Sequence, residues 1–201
     1  DIMLFQAWGF LFEETGLLEL RDMGILLVNI AMDDRHTFHL ADSATGKDIG
    51  SLVFGKCCDR VVTCAPEVTK WYGYHNVKSV YLPEGTTMNF LKEVDIQSNT
   101  LDVIFMGKKY GSRGKLFKKV DSCIPNNIFH GPGWPAGILP ANEVINFLNK
   151  SKIHIGVSGV GYSEKLTALK MRDFDGLIAS SLYLTQFSPD LGTLLDRQFV
   201  Q

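Results

Sequence analysis

The chain has 201 residues, 45% hydrophobic and 21% charged, a composition suited to one large globular domain or two small ones. Its formal net charge of −2 argues against a general nucleic-acid binder. No apolar run reaches the roughly 18 residues of a membrane-spanning helix, and the start lacks a basic n-region followed by a small-residue cleavage site. A cytoplasmic protein with no transmembrane role is the expectation. Cys57, Cys58, Cys64 and Cys123 have neither CxxC spacing nor a neighbouring His cluster, which predicts reduced thiols rather than a disulfide framework or a zinc site.

In chain order, strand-like runs alternate with helix-like ones, the pattern of parallel sheets covered by helices. Strands are predicted near Ile2–Gln6, Ile25–Ala31, Arg60–Thr63 and Ser79–Leu82, with helices near Glu13–Asp22 and Pro66–Gly73. The turn-forming segment Pro83–Thr87 and the polar stretch Asp95–Thr100 then predict a change of domain. A second series follows: strand Leu101–Met106, helix Arg113–Val120, strand Asn127–Phe129, helix Ala141–Lys150, strand Ile153–Val157, helix Glu164–Leu177, strand Ser181–Leu184 and helix Asp190–Leu195. The fold class expected is α/β, with two Rossmann-like domains divided as 1–92 and 93–201.

Charge is unevenly divided between those halves. Residues 1–92 sum to −4 and residues 93–201 to +2, so the second half favours anions. Lys108, Lys109, Arg113, Lys115, Lys118 and Lys119 form a run with no acidic residue among them. Such a run is ordinarily a solvated helix face; Arg113, just after a strand, is the member with a phosphate-binding reading.

Ligands of open parallel sheets bind beyond the carboxyl ends of strands, so the loops Gly107–Arg113, His130–Pro135 and Ser158–Ser163 are expected to meet at one edge. Within the third, Gly159-Val160-Gly161-Tyr162-Ser163-Glu164-Lys165 reads as a glycine turn in which Ser163 caps a helix carrying Lys165, Lys170, Arg172 and Asp175. Free amides at such a helix start attract anions, a diphosphate among them. A carboxylate such as Asp175 accepts two hydroxyl hydrogen bonds, which suits a ribose.

Five motifs occur here in one order: Tyr110-Gly111-Ser112-Arg113, Gly131-Pro132-Gly133-Trp134-Pro135, Asn149-Lys150-Ser151-Lys152-Ile153, Gly159 through Lys165, and Leu169 through Asp175 with Tyr183 to Leu191. Their order and spacing resemble those of CgeB-like glycosyltransferases, a family named after a spore-maturation protein and built on the two-domain GT-B plan. The similarity runs from about Ile25 to Leu195, with Asp33-Asp34-Arg35-His36 resembling the family's acidic motif. It implies a second domain that holds a nucleotide-sugar donor and a first domain, incomplete here, that contacts the acceptor across a cleft. It implies further that the chain corresponds to the middle of such an enzyme, with self-association or a partner chain covering any unpaired sheet edge.

On this resemblance the donor site comprises Gly107, Tyr110, Arg113, Gly133, Trp134, Gly161, Tyr162, Ser163, Lys165, Arg172 and Asp175. The chain departs from the family where Asp175 stands for the usual Glu and where Ser180 and Ser181 stand for glycine. Several of these residues have a second reading. Trp134 either stacks on a base or sugar or pins its loop to the core, Lys165 is a phosphate ligand or a solvated cation, and Arg172 contacts phosphate or pairs with Asp173. On the acceptor side, Asp33, Asp34 and His36 stand at a strand's carboxyl end as candidate general bases; otherwise Arg35 pairs with one Asp while the other caps a turn. No metal and no cofactor are expected. The function expected is sugar transfer from a nucleotide-diphosphate sugar to a hydroxyl acceptor, and the alternatives are a non-catalytic nucleotide-sugar or glycan-binding module and a structural subunit that keeps only the fold.

Overall fold

A computed structural model describes residues 1–8, 12–87, 100–160, 163, 165–179 and 181–195. The chain falls into two compact units, Asp1–Glu84 and Gly85–Gln201; the expected division between 92 and 93 lies outside the described residues. Each unit carries a four-stranded sheet in which every pairing is parallel, so both are Rossmann-like α/β layers. Among the described residues no helix is long and apolar enough to cross a membrane.

The first unit runs β1 (Ile2–Phe5), α1 (Glu14–Asp22), β2 (Leu26–Ala31), α2 (Asp34–Thr37), α3 (Ser51–Cys57), β3 (Arg60–Thr63), α4 (Val68–Tyr74) and β4 (Ser79–Tyr81). Its strands lie in the order β1-β2-β3-β4. Parallel crossovers are right-handed, so stepping always in one direction places the connecting helices on one face. Burial follows that rule: Phe5, Leu27, Asn29, Ala31, Val61 and Thr63 are buried, while the alternate positions Ile2, Leu4, Leu26 and Val80 are 66%, 65%, 51% and 44% exposed. On the covered face Phe5, Leu17, Leu27 and Phe54 form one cluster, and Phe38, Leu52, Val61, Val68 and Tyr72 another. Asn29 is buried within this face and satisfies both amide atoms on Ala7, accepting its N–H (2.9 Å) and donating to its carbonyl (3.3 Å).

Helices α2 and α3 are additions to the predicted element order. Gly55 inside α3 weakens the helical signal, yet a Cβ there would lie 3.0 Å from the Tyr72 ring; the residue that breaks the pattern is the one that lets α3 approach α4.

The second unit runs β5 (Leu101–Met106), α5 (Arg113–Cys123), β6 (Asn127–His130), a 3-10 turn (Ala141–Glu143), α6 (Val144–Leu148), β7 (Ser151–Ile155), α7 (Met171–Ile178), β8 (Leu182–Leu184) and α8 (Pro189–Leu194). The order β6-β5-β7-β8 makes the chain step outward from β5 to β6, then return across β5 to β7. Helices therefore cover both faces, and β5 is correspondingly apolar, with Val103, Ile104 and Phe105 at 1% exposure or less. Phe105 packs with Phe117, Trp134 and Val157 on one side, and Ile104 with Phe147 and Leu148 on the other.

Two predicted elements differ here. The helix expected over Ala141–Lys150 divides into the 3-10 turn and a short α6. The helix expected over Glu164–Leu177 begins only at Met171, a change that bears directly on the site.

Candidate functional site

The reversal of strand order between β5 and β7 is a topological switch point, where a crevice opens beyond the strands' carboxyl ends. The loops leaving β5, β6 and β7 do converge there. Lys109 donates its N–H to the Pro132 carbonyl (2.9 Å), the Trp134 indole N–H donates to the Gly107 carbonyl (2.8 Å), and the Tyr110 hydroxyl donates to the Gly159 carbonyl (3.4 Å). Gly107 and Gly131 adopt φ of +147° and +130°. A side chain on Gly131 would overlap the Gly107 backbone, and one on Gly107 would meet the Arg172 guanidinium at 2.6 Å. Gly133 (φ +87°) packs on Lys109.

Two guanidiniums occupy this convergence. Arg113, the first residue of α5, is 4% exposed; it donates Nη1–H to the Lys108 carbonyl (3.0 Å) and Nη2–H to the Val157 carbonyl (3.2 Å). Arg172, in the first turn of α7, donates Nε–H to the Met106 carbonyl (2.9 Å) and Nη1–H to the same Val157 carbonyl (3.0 Å). The Tyr110 ring lies 4.1 Å from the Arg113 guanidinium, and Phe105 lies 5.7 and 5.4 Å from the two cations. Burial, and then repulsion from Arg172, push the Arg113 pKa down to about 10. Among the described residues neither guanidinium forms an ion pair with a carboxylate, and the buried Arg113 Nε has no hydrogen-bond acceptor.

Nearby acids are engaged elsewhere. Asp173, 2% exposed, accepts the Lys170 N–H (2.7 Å) and the Tyr183 hydroxyl (2.5 Å). It caps α7 and so does not pair with Arg172. Burial and Asp173 raise the Tyr183 phenol well beyond its ordinary pKa, leaving it a neutral donor. Asp175, 7% exposed, accepts the Thr86 hydroxyl at 2.6 Å on one carboxylate oxygen. Burial raises its pKa, against the pull of Thr86 and Arg172.

The expected helix start at Ser163 is a correction. Ser158–Val160 and Leu166–Ala168 pair as the two arms of a hairpin, with an antiparallel bridge between Gly159 and Thr167 and bonds from Val160 N–H to the Leu166 carbonyl (3.0 Å) and from Ala168 N–H to the Ser158 carbonyl (2.9 Å). Ser163 Oγ does accept two amides, those of Lys165 (3.2 Å) and Leu166 (2.9 Å), but it caps a turn of this hairpin instead of a helix. Ser163 and Lys165 are exposed on it; Gly161, Tyr162 and Ser180 lie outside the described residues. Chain turns with a serine cap look alike in sequence whether or not a helix follows.

Trp134 is 8% exposed and set among Phe105, Phe117 and Phe129, its indole holding the Gly107 carbonyl. His154, unsingled by the sequence, is fully buried beside Tyr183 (ring centroids 5.1 Å) with neither ring nitrogen hydrogen-bonded. Burial and Arg172 push its pKa to about 3, so it is neutral; a lone His in an apolar strand carries no sequence signal of this.

In the first unit Asp33, Asp34 and His36 follow β2. The Asp33 carbonyl accepts the N–H groups of His36 (3.2 Å) and Thr37 (3.1 Å), Asp33 is half-buried and His36 exposed. Asp34 is 1% exposed with neither carboxylate oxygen in a hydrogen bond; burial pushes its pKa up to about 7, against the neighbouring Thr63 and Tyr72 hydroxyls and Arg35. Arg35 pairs with Glu67. Among the described residues no three His, Cys, Asp or Glu side chains form a group able to hold a metal ion.

No protein-family model matches the chain, and no curated protein matches it. At the β5–β7 switch point the structure thus brings two guanidiniums onto one backbone carbonyl, neither of them in an ion pair among the described residues.

Proposed function

We propose that the protein binds a nucleotide-diphosphate sugar at the switch point of its second unit and transfers the sugar to a hydroxyl acceptor, as a GT-B enzyme of the CgeB-like kind. The observation that carries this reading is the Arg113–Arg172 pair, two guanidiniums on one carbonyl with no ion-pair partner among the described residues. In the reaction the bond from the anomeric carbon to the diphosphate oxygen breaks, and its electron pair leaves with the diphosphate. The guanidiniums neutralise that developing charge, while the free oxygen of Asp175 takes a ribose hydroxyl. The acceptor oxygen forms the new bond as its proton passes to a general base.

Thermal unfolding of the full chain with uridine, guanosine, adenosine and thymidine diphosphates tests the binding step. A ligand at a hundred times its Kd stabilises the native state by about 2.7 kcal/mol; at least one nucleotide is expected to raise Tm, and Arg172→Met to abolish the rise, with Arg172→Lys intermediate. Failure of every nucleotide to shift the wild type would overturn the proposal. A second reading, binding without transfer, is favoured by one observation: Asp34 is sealed from any acceptor. A nucleotide-induced shift with no release of diphosphate from any donor sugar would select it.

A further inference from the structure

A cavity of about 460 Å³ opens on the second unit between α5, the edge strand β6 and the loop after it, lined by Phe117, Phe129, Trp134, Pro135 and Ala136 with Lys109, Lys118 and Asp121 around it. Its volume is that of a small-molecule site. The floor is rigid. Trp134 meets Phe117 and Phe129 edge-on at centroid separations of 5.4 Å each, and its indole N–H is fixed to the Gly107 carbonyl (2.8 Å). Lys109 is held by its backbone N–H on the Pro132 carbonyl, and its ammonium sits 4.9 Å from the Trp134 ring centroid.

Neither Lys109 nor Lys118 has an acid partner among the described residues. Both lysines are exposed at the cavity rim, so an anionic group there gains the attraction of two solvated positive charges. With Asp121 among the lining residues, the charged side chains sum to +1, which fits one negative charge better than two. From this geometry we infer that the cavity binds an aromatic monoanion, its flat apolar body against Trp134 and Phe129 and its carboxylate on Lys109 and Lys118. This site is separate from the arginine pair and does not depend on a nucleotide binding there.

Isothermal titration of the full chain, without nucleotide, with 2-naphthoate, 2-naphthalenemethanol and 2-naphthylmethylammonium tests it. Saturable binding of the carboxylate is expected, at least tenfold tighter than the alcohol, with the ammonium weakest. Ala136→Phe, which fills the cavity from an exposed position, is expected to abolish binding, and Lys109→Met to weaken the carboxylate about tenfold while leaving the alcohol unchanged. Absence of saturation with the carboxylate, equal affinity for the alcohol, or carboxylate binding that survives Ala136→Phe would each overturn the inference.

Discussion

Burying a carboxyl group without a hydrogen-bond donor disfavours its charged form, and Asp34 stands in that position at the end of β2. The sign of the resulting pH dependence follows from the direction of the shift. An aspartate whose folded pKa is raised to about 7 binds its proton more tightly when native, so its stabilising contribution is complete below the unfolded value near 4. That contribution is lost as pH climbs toward 7, by up to about 1.4 kcal/mol per pH unit. Asp34→Asn is expected to flatten this decline: urea midpoints of wild type and variant converge near pH 4.5 and separate by pH 8, with the variant the more stable. Parallel profiles across that range would show that Asp34 titrates normally. The same burial explains why its role was illegible beforehand; Asp33 and Asp34 are adjacent and chemically alike, and only the turn of α2 sends one toward Tyr72 and leaves the other at the surface.

At the scale of elements, α7 determines what the switch point contains. Its start is marked by Asp173 at the third helical position, whose carboxylate closes back on the Lys170 N–H. Asp173→Ala removes that cap and the acceptor for the buried Tyr183 hydroxyl, and is expected to cost roughly 2 to 4 kcal/mol in chemical denaturation, from a lost cap and an orphaned donor together. A loss below about 0.5 kcal/mol would mean that the first turn of α7 is held by its packing alone. Lysine before a helix is not a recognised cap, whereas Ser163 after two glycines is, so propensity placed the start too early. Strands were more legible: β3 and β5 have the predicted bounds, because β-branched and aromatic residues between turn formers leave few alternatives. The convergence of three glycine loops was likewise readable from the alternation of strands and helices. The orientation of Arg113 and Arg172 toward carbonyls was not, since sequence names a cation without naming its neighbours.

On the scale of the whole molecule, the first unit leaves one face of its sheet bare of helices. Parallel sheets are ordinarily covered on both faces, yet Ile2, Leu4 and Leu26 are all more than half exposed on the face opposite its helices, with Ile2 beside Leu26 and Leu4 beside Val28 in the register. Leu4→Lys combined with Leu26→Lys is expected to lower binding of the dye anilinonaphthalene sulfonate while shifting stability by no more than about 0.5 kcal/mol per site, the usual range for surface positions. Unchanged dye binding together with a collapse of stability would show that solution buries this face. Trp8 and Trp71 belong to the first unit, so residues 85–201 contain a single indole, Trp134, tethered to the backbone that flanks the arginine pair. In a chain with the other two tryptophans replaced by phenylalanine, emission from this one fluorophore would serve as an intrinsic optical gauge of the glycine turns, registering displacement of Gly107 without any attached label.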